Sequence, residues 1–149
     1  MSGELEEITL RPIGFVRSEI KRRERRDASG TVAEIVLEPE LTEALDNIDE
    51  FSHIIVIYWM HQSRRPAPTK VHPRYRKERS PVGVLASRSP DRPNPLGKTT
   101  VRLVGRNANV LTVRGLDAID GTPVIDIKPY IPGLDAVADA RVPQWMMEN

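Results

Sequence analysis

Short runs of β-branched and apolar residues, separated by prolines and charged stretches, constrain the fold of this sequence more than any other feature. Runs of this length predict strands, and their close spacing favours a mainly antiparallel barrel or sandwich over a doubly wound sheet. Residues 39–45 form the one segment with helical spacing, and it begins at Pro39. With 149 residues, one domain is expected. We predict an all-β, barrel-like fold with one short helix and strands at residues 8–18, 33–37, 53–61, 82–86, 99–104, 110–114 and 124–131.

Several classes of protein are excluded by what the sequence lacks. It has no cysteine, which excludes disulfides, thiolate metal sites and a cysteine nucleophile, and fits a reducing, cytoplasmic setting. The longest apolar run, residues 54–60, is too short to cross a bilayer, and the acidic first residues do not resemble a signal peptide. His53 and His61 lie about 26 Å apart along an ideal strand, too far for joint metal ligation. We therefore expect no membrane span and no metal.

Positive charge is concentrated in two segments of a nearly neutral chain. Residues 11–26 contain seven Lys and Arg against two Glu, and residues 64–79 contain seven against one, although the net charge is only +1. A polyanion such as RNA would explain this distribution, and two solvated loops without a partner are the alternative. The residues predicted to contact an RNA backbone are Arg22, Arg23, Arg25, Arg26, Arg74, Arg76, Lys77 and Arg92.

Residues 86–98, with the sequence A-S-R-S-P-D-R-P-N-P-L-G-K, predict a stiff loop. Its three prolines fix φ and restrain the residues before them, so the loop loses little entropy when it binds a ligand. Its arginines are suited to carboxylate or phosphate recognition through the planar guanidinium. The loop is therefore either a ligand-binding element or a rigid turn whose arginines pair with nearby aspartates.

A second polar row lies in the last predicted strand. Asp126, Lys128 and Tyr130 alternate with apolar residues, so they project from one face of the strand. A carboxylate, an amine and a phenol in one row are able to hold a polar ligand or shift one another's pKa. The alternative is a surface row of Asp–Lys pairs, which contribute little to stability.

Six strings of residues, taken in order, resemble the TsaA-like family, also called the TrmO family. They are R-P-I-G (11–14), F-S-H (51–53), H-Q (61–62), G-V-L-A-S-R-S-P (83–90), R-P-N-P-L-G (92–97) and D-G-T-P-V-I-D-I-K-P-Y (120–130). The resemblance covers residues 8–134 as the core of a single domain, with residues 135–149 as a C-terminal tail. It is a resemblance to the N-terminal barrel domain only: bacterial members carry a further C-terminal domain, and this sequence stops shortly after the D-I-K-P-Y strand.

The resemblance implies a non-Rossmann, barrel-like fold that binds S-adenosylmethionine and forms a homodimer. It also implies methyl transfer to N6 of a threonylcarbamoylated adenosine next to the tRNA anticodon, with tRNA as the partner. By matching position, it implies that the cofactor-binding residues are Ala28, Ser29, Gly30, His61, Gln62, Arg88, Leu96, Gly97, Lys98, Asp117, Ala118, Ile119, Asp120, Gly121 and Thr122.

Methyl transfer from a sulfonium to an amine is an in-line displacement, and positioning alone supplies roughly 7–11 kcal/mol of the barrier reduction in such reactions. Adenine N6 is a poor nucleophile, so a group that accepts its proton would help. The candidate catalytic residues are Asp126 as acceptor, Tyr130 as orienting group and Lys128 as the contact for a phosphate or carboxylate. The alternatives are a methyltransferase of this fold with another substrate, and a non-catalytic module that binds S-adenosylmethionine or RNA.

Overall fold

The computed structural model describes residues 3–23, 27–73 and 76–147. The strands are β1 (Gly14–Arg17), β2 (Val32–Leu37), β3 (His53–Trp59), β4 (Lys70–Val71), β5 (Val82–Gly83), β6 (Leu96–Asn107), β7 (Val110–Arg114) and β8 (Pro123–Pro129). Short α-helices follow at α1 (Pro132–Asp135) and α2 (Gln144–Met147), and 3₁₀ turns lie at Pro39–Leu45, Ile48–Glu50 and Val84–Ala86.

Six of these strands close into a barrel in the order β1-β2-β7-β6-β3-β8, and β8 pairs with β1 to complete the ring. All the pairings within the barrel are antiparallel. The predicted all-β, mainly antiparallel barrel is therefore confirmed. The remaining strands, β4 and β5, pair with each other outside the barrel, within the long segment that leads from β3 to β6.

Alternation along the strands fills the barrel with aliphatic side chains. Ile54 and Val56 on β3 are completely buried, as are Ile35 on β2 and Leu111 on β7. These side chains belong to one apolar cluster in the barrel interior. The period of two in a strand sends every second residue inward, which is why the short β-branched runs suffice to build this core.

The structure differs from the expected elements in several places. The strand expected at 82–86 pairs only over Val82–Gly83, and Val84–Ala86 form a 3₁₀ turn. The segment 8–18 pairs only over Gly14–Arg17, and Ile8 is 82% exposed. Residues 39–45 form a 3₁₀ turn instead of an α-helix. The strand expected at 99–104 extends over Leu96–Asn107, because a register shift between Leu103 and Gly105 lets β6 continue to a tighter turn.

The segments before β1 and after β8 are exposed to solvent. Residues 3–12 are exposed, and so are residues 131–144. Apolar side chains lie in both segments, including Leu5 at 95% exposure and Leu134 at 78%. In the described part of the chain, no helix has the length and hydrophobicity needed to cross a membrane.

Candidate functional site

A cleft of about 1030 Å³ opens at the end of the barrel where β3 finishes and β6 begins. Its walls come from the segments before β2, between β3 and β6, and between β7 and β8. The lining residues are Ile20, Arg22, Arg23, Tyr58, Met60, His61, Gln62, Ser63, Arg64, Arg88, Pro90, Arg92, Asn94, Leu96, Gly97, Lys98, Thr99, Asp117, Ala118, Ile119 and Thr122.

Strand pairing brings two of the predicted segments together at this cleft. Trp59 at the end of β3 pairs with Leu96 at the start of β6, and the Met60 amide donates to the Pro95 carbonyl at 2.7 Å. His61 and Gln62 therefore follow directly from the point where the proline-rich loop returns to the barrel. Both are exposed and line the cleft.

Tyr58, Thr99 and Asp117 form a hydrogen-bonded group in the cleft wall. The Tyr58 hydroxyl donates to Asp117 Oδ1 at 3.0 Å and lies 2.9 Å from Thr99 Oγ1, which in turn lies 3.1 Å from Asp117 Oδ1. Burial raises the pKa of Tyr58 above its ordinary value, and the nearby Asp117 charge adds to this shift. Tyr58 is therefore protonated at neutral pH and acts as a donor.

Gly97 makes room for this group. A Cβ at Gly97 would lie only 2.6 Å from Cζ of the Tyr58 ring, so any larger residue would displace the ring. Gly97 faces Tyr58 directly in the β3–β6 register. The glycine in the predicted cofactor-binding segment is thus required for packing, a role that the sequence alone did not reveal.

The cleft presents charges of both signs. Asp117 uses Oδ1 for Tyr58 and Thr99, while Oδ2 accepts no hydrogen bond from another residue that the structure describes. Arg88 and Lys98 are exposed on the lining, and their side chains form no hydrogen bond or ion pair within residues 3–23, 27–73 and 76–147. A carboxylate oxygen and two cations are therefore available to a ligand that carries both kinds of charge.

Asp91 connects three of the segments that form the cleft. It is 5% exposed, and its carboxylate accepts from Arg23 Nη1 at 2.8 Å and Arg23 Nη2 at 2.9 Å. The Arg64 backbone amide donates to Asp91 Oδ1 at 2.6 Å. Burial alone would raise the pKa of Asp91, but the hydrogen bonds from Arg23 and Arg64 outweigh this effect and hold the pKa below its ordinary value.

Two of the arginines predicted to contact RNA bind other groups of the protein. Arg23 pairs with Asp91 of the proline-rich loop, whereas the arginines of that loop, Arg88 and Arg92, pair with no aspartate among the described residues. Arg92 donates to the Ser87 carbonyl at 2.9 Å and to the Ser89 carbonyl at 3.3 Å, so it holds the loop together from within. Both arginines line the cleft, and their contact with RNA stays a prediction.

The other predicted RNA contacts are dispersed. Arg22 is exposed and lines the cleft, whereas Arg76 and Lys77 lie in the segment between β4 and β5, away from the lining. Arg25, Arg26 and Arg74 fall outside the residues that the structure describes.

Five of the predicted cofactor-binding residues lie outside the lining of the cleft: Ala28, Ser29, Gly30, Asp120 and Gly121. Asp120 accepts from the Ser18 amide at 2.9 Å and from Lys21 Nζ at 3.1 Å. Those bonds keep the pKa of Asp120 below its ordinary value. Asp120 thus positions the segment that carries Ile20 into the cleft, while Ala28 is buried in a neighbouring turn.

The three candidate catalytic residues also lie outside this cleft. Lys128 Nζ pairs with Asp126 Oδ2 at 3.2 Å, and the two residues face Ile55 and Ile57 of β3 in the register of the sheet. The Tyr130 ring contacts His53 edge to face, with centroids 6.5 Å apart. The structure therefore keeps the row together but separates it from the cleft of the same chain, and its catalytic role stays a prediction.

Sequence reasoning did not assign several residues to the site: Ile20, Tyr58, Met60, Ser63, Arg64, Pro90, Asn94 and Thr99 in the lining, and Asp91 behind it. The only signal for Tyr58 was a phenol at an inward position of an otherwise apolar strand. Asp91 was visible only as an acidic residue within a basic loop. No group of three or more His, Asp or Glu suited to a metal ion occurs in the described portion of the chain.

Comparison with known proteins gives consistent matches. The model of the tRNA-methyltransferase O N-terminal domain matches residues 17–136. A Methanothermobacter thermautotrophicus protein named a probable S-adenosyl-L-methionine-binding protein is 44% identical over 135 residues, covering 88% of this chain and 96% of its own. A Pseudomonas aeruginosa protein named a putative S-adenosylmethionine-dependent methyltransferase, RcsF, is 39% identical. The match covers 89% of this chain and 61% of that protein.

Solved structures agree with these matches. The crystal structure of TrmO from Pseudomonas aeruginosa superimposes on this chain with a TM-score of 0.78 at 35% sequence identity. The match covers 95% of this chain and 63% of the TrmO chain. The chain also covers only 38% of an Archaeoglobus fulgidus relative that is 41% identical over 145 residues. It therefore spans less than two thirds of several of its relatives. The matched domain, the barrel and the shared strings of residues together show that this chain belongs to the TrmO family, over that family's N-terminal domain.

Proposed function

We propose that this protein binds S-adenosylmethionine in the cleft and transfers its methyl group to tRNA. The observation that carries the proposal is the charge pattern of the cleft. Asp117 Oδ2 accepts no hydrogen bond from a described residue, and Arg88 and Lys98 have no ion pair within the described chain. The names of the relatives, which refer to S-adenosylmethionine binding or methyl transfer, support the same conclusion.

The available side chains fit the chemical groups of this cofactor. It carries a carboxylate, which Arg88 or Lys98 would bind, and an ammonium group, ribose hydroxyls and an adenine amino group, each a donor suited to Asp117 Oδ2. Leu96, Ala118 and Ile119 supply apolar surface on the same lining. The bound cofactor would supply an electrophilic methyl group, and the protein's part is to hold donor and acceptor in line.

We propose N6 of a threonylcarbamoylated adenosine next to the anticodon as the methyl acceptor, as the family resemblance implies. The exposed Arg22 on the cleft, together with Arg76 and Lys77, would contact phosphates of the tRNA. Such contacts would make binding weaken steeply as salt rises. A tRNA substrate would also place the protein in the cytoplasm.

We further propose that the protein acts as a homodimer. The C-terminal segment supports this, since Leu134, Val137 and Met147 are 78%, 66% and 75% exposed on a single chain. Apolar side chains in such numbers on one segment are typical of an interface. A dimer would also allow Asp126, Lys128 and Tyr130 of one protomer to approach the cleft of the other, which the single chain does not.

Calorimetric titration and thermal unfolding with S-adenosylmethionine, with ATP as the control ligand, test cofactor binding. Ligand at a hundred times its Kd adds roughly 2.7 kcal/mol of stability, which corresponds to a rise in Tm of several degrees for a chain of this size. Arg88→Ala should abolish most of the rise, whereas Arg114→Ala, which changes an exposed arginine of β7 away from the cleft, should leave it unchanged.

Transfer of a labelled methyl group to tRNA tests the acceptor. Incorporation into threonylcarbamoylated tRNA, and none into tRNA without that modification, is the expected result. Incorporation into another RNA or a small molecule would point to a methyltransferase of this fold with a different substrate. Cofactor binding with no transfer to any tRNA, by a dimer confirmed as folded, would support a non-catalytic binding module and contradict the proposal.

A further inference from the structure

We propose that Asp91 is a positioning residue that holds three loops around the cleft in the arrangement that binds the ligand. The inference rests on the proposed function for the identity of the ligand, S-adenosylmethionine. Whichever ligand binds, the Asp91 carboxylate joins segments 20–23, 61–65 and 86–95.

The contacts of Asp91 reach both of the other loops at once. Arg23, 68 residues earlier in the chain, donates a hydrogen bond from each of its two terminal nitrogens to the Asp91 carboxylate, which makes the pair bidentate. Arg64 contributes its backbone amide at 2.6 Å and its Nε at 3.4 Å. Bidentate and charge-assisted bonds of this kind are among the strongest polar contacts in proteins, and they fix orientation as well as distance.

The proline-rich loop is rigid within itself but needs an external anchor. Pro90, Pro93 and Pro95 restrict its backbone, and Arg92 binds two carbonyls of the same loop. These internal restraints set the shape of the loop and not its position relative to the rest of the cleft. Asp91 and the Arg65 guanidinium, which donates to the Arg92 and Pro93 carbonyls, supply that position.

The contacts of Asp91 are largely buried. The Asp91 side chain is 8% exposed and the Arg23 side chain 26% exposed, so the pair is largely shielded from water and salt. The hydrogen bonds from Arg23 and Arg64 keep Asp91 ionised at neutral pH. Loss of the carboxylate charge would remove the bidentate contact between segments 20–23 and 86–95, and we expect these loops to separate.

The arginines of the cleft also differ in their partners. Asp91 compensates Arg23 and contacts Arg64, while Arg88, on the same proline-rich loop, keeps no ion pair among the residues described. Arg88 would then meet the ligand, and Arg23 would hold the wall on which Arg88 is carried. This assigns different roles to two arginines that both line the cleft.

A double-mutant cycle on ligand affinity tests the pair. The variants are Asp91→Asn, Arg23→Gln and the double variant, with Asp46→Asn as the matched control because Asp46 pairs with Arg106 outside the cleft lining. Each single change should weaken the Kd for S-adenosylmethionine about tenfold, since the ligand must then order the loops itself. The double variant should lose less than the sum of the two single losses, because both changes remove the Arg23–Asp91 contact.

Hydrogen exchange without ligand tests the loops directly. Asp91→Asn should raise amide exchange in segments 20–23, 61–65 and 86–95 and leave the barrel strands unchanged. A residue that served general stability would instead raise exchange in the barrel as well. Where Asp91→Asn does not fold, Arg23→Gln provides the same two measurements.

Each outcome has one meaning. Unchanged affinity and unchanged loop exchange in folded variants would overturn the inference, and so would additive losses in the cycle, which would mean that Arg23 and Asp91 act separately. Raised exchange confined to the three loops, with losses of affinity that are less than additive, would support it. Absence of binding by the unaltered protein would refute the proposed function, and the exchange measurement would still decide whether Asp91 holds the loops.

Discussion

The barrel interior and the cleft wall are held together by different forces. In the barrel, completely buried aliphatic side chains such as Ile35, Val56 and Leu111 pack inside a ring of backbone hydrogen bonds. In the cleft wall, side-chain bonds join segments that are far apart in sequence, as between Arg23 and Asp91 or Tyr58 and Asp117.

The difference assigns stability to one region and binding geometry to the other. Hydrophobic burial is large and non-directional, so the barrel tolerates variation in its loops. Hydrogen bonds contribute less net stability, but they fix direction and distance. The cleft is therefore the part of the molecule where a small change should alter function without unfolding the protein.

The largest effect is expected from Leu111→Ala in the barrel. Leu111 is completely buried, so its truncation leaves a cavity and should lower the free energy of unfolding by about 2–5 kcal/mol, measured by urea denaturation. Leu85→Ala, at a side chain that is 76% exposed, should cost less than about 0.5 kcal/mol. An equal loss in both variants would contradict the division between core and surface.

Gly97→Ala lies where the two regions meet. The new methyl group would push against the Tyr58 ring, and we expect a loss of about 1–3 kcal/mol of stability together with weaker binding of S-adenosylmethionine. Gly105→Ala is the matched control, since it lies on the same strand and a Cβ there meets nothing within 4 Å. Binding that survives Gly97→Ala would show that Tyr58 is not fixed in the cleft wall.

Tyr58→Phe keeps the aromatic ring in the core and removes the hydroxyl from the cleft wall. The ring remains in the core, whereas the bonds to Thr99 and Asp117 are lost, which should cost about 1 kcal/mol of stability. We expect the larger consequence in calorimetric affinity, because Asp117 loses one of the two groups that orient it. For stability alone, Tyr130→Phe is the comparison, and a loss as large as that of Tyr58→Phe would argue against the role of the Tyr58 hydroxyl.

The smallest effect is expected from Glu34→Gln on the outside of the barrel. Arg17 and Glu34 pair at 3.1 Å, but their side chains are 50% and 43% exposed. Such pairs contribute roughly 0.2–1 kcal/mol, and salt weakens them further. Urea denaturation at low and high salt should show a small difference that disappears at high salt, and ligand affinity should not change.

Much of the fold was predictable from the sequence. The β-branched runs indicated the strands because alternation along a strand is a local property, and β2, β3, β7 and β8 lie close to the expected residues. The 3₁₀ form of Pro39–Leu45 was not predictable, since α and 3₁₀ turns share the same apolar spacing over so short a segment. The full length of β6 was hidden because Gly105 resembles a turn residue and in fact follows a bulge.

The candidate site was only partly predictable. Family resemblance indicated His61, Gln62, Arg88, Leu96, Lys98 and Asp117, and the structure brings all of them to one cleft. It also separates Asp126, Lys128 and Tyr130 from that cleft, although they lie in the same family string as Thr122. A string of residues in one strand does not say which end of a barrel each side chain approaches.

The sequence by itself determined the strands, the interior face of each and the stiffness of the proline-rich loop, because these follow from neighbours along the chain. Only the tertiary structure decided which charges are available to a ligand. Asp91 and Asp117 are both aspartates in loop segments, yet one is enclosed by Arg23 and Arg64, whereas Oδ2 of the other accepts no hydrogen bond from a described residue. The physical reason is that ion pairs and hydrogen bonds depend on distances between segments that only the fold brings together, here residues that are 68 and 59 positions apart in the chain.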